Sequence, residues 1–137
     1  MRNVRLIVAA AVLLQASPAL ARAPVPIQDW PAEAVVTASG NRPTAEQVEQ
    51  AALVAVAAKG WTPTRVADGR YSLRKLVRGK HTVVVSLSVA ATQYGIVYES
   101  SDNMKYTTVE GVPHIHPNYN VWARELVEAI RAEVARL

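Results

Sequence analysis

The chain of 137 residues contains no cysteine. That absence excludes disulfides, thiolate metal sites, a cysteine nucleophile and a lipidated N-terminal cysteine. Stability must then come from a packed core. A core is feasible at this length, because a domain of this size buries well over ~60% of its unfolded surface. Long apolar runs are lacking too. The longest, Leu6 to Leu14, is about half of the ~20 residues a membrane-spanning helix needs. No Gly-x-Ser-x-Gly elbow and no His-Glu-x-x-His pattern occurs, so the usual serine-hydrolase and zinc-hydrolase signatures are missing. No arginine-rich aromatic groove is evident, and nucleic acid is not an expected partner.

What is present starts with a targeting pattern. Arg2 and Arg5 precede the apolar run, and Ala19 and Ala21 supply the small residues a signal peptidase reads. The expectation is a signal peptide over 1–21, cut after Ala21, and a soluble bacterial protein exported to the periplasm. A cut after Ala23 is disfavoured because Pro24 would follow it. Losing Arg2 and Arg5 takes the formal charge from +4 to +2.

Residues 22–43 carry four prolines and no sustained periodicity. They read as a Pro-rich N-terminal tether, with Ile27, Trp30, Val35 and Val36 as points that could pin it to the domain. Residues 44–137 read as a single domain. Thr44 and Gln47 form a capping box that opens a helix ending at Gly60. Its inner face holds Val48, Ala51, Ala52, Ala55 and Ala58. Leu53 falls among the polar positions, either exposed or covered by the tether through Trp30.

Strand-like runs follow. Asp68-Gly69 is a hairpin signal. After it, Tyr71, Leu73, Lys75 and Val77 alternate with Ser72, Arg74, Leu76 and Arg78. Gly79-Lys80 makes the next turn, and Val83, Val85, Leu87 and Val89 form one face of the clearest strand. Tyr94, Ile96 and Tyr98 share a face of the next. Residues 100–113 read as a polar loop. A last helix carries Tyr119, Trp122, Leu126, Ile130 and Leu137 on one side. The expected fold is α+β: helix, antiparallel meander of three or four strands, helix, with both helices on one face of the sheet. On the second strand Arg70, Arg74 and Arg78 line one side, which is either a solvated outer face or a binding surface for an anionic envelope component such as phospholipid or polyanionic glycan.

Several pieces combine into a recognisable pattern: Gly60-Trp61 after the first helix; Tyr94, Ile96 and Tyr98 in a strand; Ser101, Asn103, Met104 and Tyr106 in a turn; and Ile115, His116, Tyr119, Asn120 and Trp122 at a helix start. Over residues 44 to about 132 the chain resembles a family of small exported or lipid-anchored bacterial cell-envelope proteins of unknown function. Many of those look like lipoproteins. Lacking the cysteine, this chain is expected to be a soluble form. The resemblance implies no activity and no catalytic residues.

The stretch His114-Ile115-His116-Pro117-Asn118-Tyr119-Asn120-Val121-Trp122 is the densest in chemistry. His114 and His116 have a spacing used by metal sites, but a third ligand is missing. His81, whose distance from the pair the sequence does not give, or a carboxylate such as Glu99, Asp102 or Glu110 would have to supply it. Ser100, Ser101, Asp102 and His116 lack an oxyanion hole. The structural reading is preferred. Pro117 suits a first helical turn, and His116 or Asn118 can cap it. Ser101, Asn103, Tyr106, His116, Tyr119, Asn120 and Trp122 are then expected to form a polar clamp between loop and helix. Under that reading His116→Ala costs ~1–3 kcal/mol.

Two function classes follow. The first is a non-enzymatic envelope protein binding a partner protein or envelope component through the Arg70, Arg74 and Arg78 face or an open sheet edge. The alternative is a ligand- or metal-binding module, or a minor hydrolase, centred on His114, His116, Tyr98 and Tyr106. No cofactor is expected.

Overall fold

A computed structural model of the chain describes residues 23–137. The expected signal peptide lies outside the described residues. The described chain is α+β, with two helices and two antiparallel sheets.

Helix α1 (Ala45–Ala58) starts where both halves of the capping box form. The Gln47 N–H donates to Thr44 Oγ1 at 3.2 Å, and the Thr44 N–H donates to Gln47 Oε1 at 2.9 Å. Gly60, at φ +79°, ends the helix and turns the chain. The buried face is Val48, Ala51, Ala52, Ala55 and Val56, so Val56 takes the place expected for Ala58, which is exposed. Leu53 is partly buried against the core, and its neighbour Val54 is the exposed apolar residue.

Four strands then meander: β3 (Thr62–Ala67), β4 (Arg70–Val77), β5 (His81–Val89) and β6 (Gln93–Asp102). Hydrophobic alternation sets their faces. Tyr71, Leu73, Val83, Val85, Leu87, Tyr94 and Ile96 are buried, and they share one cluster with the buried residues of both helices. Turn chemistry sets the register. Gly69 sits at φ +65°, and its carbonyl accepts from the Val89 N–H at 2.8 Å. The turn after β4 is centred one residue earlier than expected, on Arg78 (φ +55°) and Gly79 (φ +68°), with the Lys80 N–H donating to Val77 O. Two successive positive φ values match the right-handed strand twist of a two-residue hairpin.

The stretch expected to be a tether is built into the fold. Strand β2 (Trp30–Ala34) pairs antiparallel with β6, making a five-stranded sheet in the order β2-β6-β5-β4-β3. Strand β1 (Val25–Pro26) pairs with a strand from the expected polar loop. That loop is largely structured: β6 runs to Asp102, and β7 (Thr107–Val109) and β8 (Val112–Ile115) form a hairpin in a second sheet of order β1-β8-β7. Its turn is Glu110 (φ +51°) and Gly111 (φ +79°), again a two-residue turn.

Helix α2 (Pro117–Ala135) buries Tyr119, Ala123, Leu126, Val127, Ile130 and Val134, a stripe at helical spacing. Trp122 and Leu137 are partly buried beside it. Strand β2 and the segment after it are fastened to α2: Glu33 of β2 meets Arg131 at 3.3 Å, and the Ala38 N–H donates to Ala135 O at 2.9 Å. Among the described residues no helix is long and apolar enough to cross a membrane.

Candidate functional site

The residues expected to form one clamp are dispersed over three separate fastenings. His116 caps α2, its Nδ1 accepting from the Asn118 N–H at 3.1 Å, and its own N–H donates to Met104 O at 2.8 Å. Asn120 faces the N-terminal segment. Its amide donates to Pro26 O at 2.9 Å and accepts from the Gln28 N–H at 3.0 Å, as a strand neighbour would. Asn103, at φ +55° just after β6, is tied to the β4–β5 turn: its side chain donates to Lys80 O at 3.3 Å, and its carbonyl contacts His81 Nδ1 at 2.7 Å.

The tyrosines meet one another instead. Tyr98 stacks on Tyr106 with centroids 5.4 Å apart, and Tyr119 meets Tyr98 edge-on at 5.4 Å. Both are favoured aromatic geometries. Ser101 Oγ contacts the Tyr98 hydroxyl at 2.8 Å. Tyr119 is fully buried, and its hydroxyl has no hydrogen-bond partner among the described residues. Burial, then the nearby Asp29 carboxylate and Tyr98, push its phenol well above the ordinary range. Trp122 packs on the core.

The histidine pair is turned to the backbone. His114 Nδ1 contacts Val112 O at 2.8 Å, and His116 Nδ1 is the cap. Among the described residues no group of three or more His, Cys, Asp or Glu side chains is arranged to hold a metal.

Charge gathers on the other side of the five-stranded sheet. Arg70 and Arg74 are exposed on the face of β4 opposite Tyr71 and Leu73. They lie four positions apart along the strand, about 13 Å. Neither takes part in an ion pair among the described residues, where the pairs are Arg65–Asp68, Arg131–Glu33 and Arg136–Glu133. Arg78, expected on the same line, is not on the strand at all, because β4 ends at Val77 and Arg78 occupies the turn.

Between the arginines lies a polar bridge that sequence reasoning missed. Ser72 of β4 and Ser86 of β5 face each other in register, and both hydroxyls donate to Glu99 Oε2, at 3.1 and 3.2 Å. Glu99 reaches them because a bulge lets Val84 pair with Ser100 and Val85 with Tyr98, leaving Glu99 as the extra residue. Alternation alone places Ser72 and Ser86 outward, but the bulge is invisible without the pairing.

The sheet edges are less suited to binding. β3 is wholly exposed but carries Pro63 and the Arg65–Asp68 pair. At the other edge β2 has Pro31 and a register shift between Trp30 and Glu33. Proline, charge and bulges are the features that block edge-to-edge pairing. Comparison with family models, with curated proteins and with solved structures finds no match to this chain.

Proposed function

We propose that the protein is exported to the cell envelope and acts there without catalysis, binding an anionic envelope component on the outer face of the five-stranded sheet. The observation that carries this reading is the pair Arg70 and Arg74: two exposed guanidinium groups, without ion-pair partners among the described residues, on a face that the helices leave open. Export is supported by Arg2, Arg5, the Leu6–Leu14 run and Ala19 and Ala21. The resemblance of residues 44 to about 132 to small envelope proteins agrees with it. The reading centred on His114 and His116 is weakened because both Nδ1 atoms are engaged locally.

The test is co-sedimentation with vesicles. Phosphatidylglycerol vesicles bind the protein at low salt, and phosphatidylcholine vesicles do not. Each basic residue near an anionic surface contributes about 1 kcal/mol, so Arg70→Gln with Arg74→Gln weakens binding about tenfold or more. Equal binding to both lipids, or an unaffected double variant, sinks the reading. Sequencing the mature N-terminus from a periplasmic fraction checks export, with Arg22 expected first.

A further inference from the structure

The outer face is not flat. Beside the Asp68-Gly69 turn it carries a half-open cavity of about 270 Å³, lined by Val66, Arg70, Ser86, Ser88 and Val97 among others. Three local features make it. β3 and β4 shift register between Arg65 and Ala67, which leaves Val66 unpaired and 62% exposed at the rim. Arg70 and Ser88 face each other in register across β4 and β5 and supply its polar side. The next row, Ser72, Ser86 and Val97, closes the far side with a valine and with the serine that holds Glu99.

The lining has a polar end and an apolar end. Arg70 supplies a permanent cation, and Ser88 adds a hydroxyl beside it in register. Val66 and Val97 supply apolar surface. The volume falls just below the ~300 Å³ at which ordinary ligand pockets begin. It suits one small anionic head with a short chain of carbons and excludes two acyl tails.

We propose that this cavity binds a small amphipathic phosphate: the phosphate oxygens on Arg70 and Ser88, the first carbons against Val66 and Val97. The inference rests on the anionic reading of the outer face and narrows it from a charged surface to a shaped site. Two sources share this chemistry, a soluble phosphate monoester and the headgroup region of a phospholipid.

The experiment is calorimetric titration of the purified protein with hexyl phosphate, inorganic phosphate and hexyl glucoside. Hexyl phosphate binds, at least about tenfold more tightly than inorganic phosphate because several methylene groups leave water. Hexyl glucoside gives no heat of binding. Val97→Trp fills the cavity from the solvent face and lowers hexyl phosphate affinity at least tenfold. Arg70→Gln does the same by removing the charge, and thermal melts confirm that both variants fold. Competition of hexyl phosphate against phosphatidylglycerol vesicles assigns the lipid source, and its absence assigns the soluble ester. No binding of hexyl phosphate, equal binding of inorganic phosphate, or full affinity in Val97→Trp overturns the proposal. If vesicles still bind through Arg74 when hexyl phosphate does not, the cavity is rejected and the surface reading stands. If hexyl phosphate binds and vesicles do not, the reverse holds.

Discussion

On one side of β4, Tyr71 and Leu73 are buried; on the other, Arg70 and Arg74 stand in solvent. The same contrast runs across the sheet. The inner face is closed by Val48, Val56, Leu126 and Ile130 from the two helices. Even its polar rim is engaged, with the Tyr71 hydroxyl donating to Glu49 and Lys75 Nζ donating to Lys59 O at 2.6 Å. The outer face holds two arginines without ion-pair partners among the described residues, a carboxylate held by two serines, and a cavity. Strands that alternate apolar and polar side chains make two surfaces with separate tasks. Stability resides on one and, in our reading, binding on the other.

That division predicts where substitutions act. The largest effect is expected at Leu73, fully buried at the centre of the inner face. Leu73→Ala removes apolar contacts and leaves a void, costing ~2–5 kcal/mol in urea unfolding; a cost under about 1 kcal/mol would mean that the inner face is not the core. Next is Gly95, on the outer side of β6. A Cβ there would come within 2.2 Å of the Pro31 carbonyl oxygen, so β2 must move. Gly95→Ala is expected to cost ~1–3 kcal/mol as overpacking does, seen as a lower melting temperature.

Tyr119→Phe has a smaller effect and the opposite sign. It removes a buried hydroxyl without a partner among the described residues, so the variant gains up to ~1 kcal/mol at neutral pH. The pH dependence follows from the raised phenols. Burial raises Tyr94, Tyr98 and Tyr119 in the folded state. A raised folded value means that the folded state holds the proton more tightly. Stability is therefore complete below the unfolded phenol value of about 10 and is lost as pH rises through the folded values. Melts between pH 8 and 12 should show this decline, shallower in Tyr119→Phe. The smallest stability effect belongs to Arg70→Gln with Arg74→Gln, within about 0.5 kcal/mol, although the pair is expected to lose vesicle binding. A large loss of stability there would erase the contrast between the faces.

How much of this was legible depended on the range of the interactions. The Thr44–Gln47 box, the alternation through β4 and β5, and Pro117 at a helix start are local, and each appears in the structure where the residues placed it. Strands β1 and β2 were not legible. Their residues have no periodicity of their own, and β1 is held from a distance by Asn120 and β8. The β7–β8 hairpin was hidden in a polar stretch, although Glu110-Gly111 between Val109 and Val112 carried the turn signal. The expected clamp assumed that conspicuous polar residues near one another in sequence would meet. Ser101, Asn103 and Asn120 instead serve three different neighbours. The Glu99 bridge and the cavity depend on register shifts in β3 and β6, which only the assembled sheet reveals.

The most direct test of the central claim is to map backbone amide shifts in nitrogen-15-labelled protein during a titration with hexyl phosphate. The account predicts that the changes concentrate around Val66, Arg70, Ser86, Ser88 and Val97, and leave Tyr106, His114 and His116 still. Shifts centred on His114, His116 and the tyrosine stack, with the outer face unmoved, would contradict it.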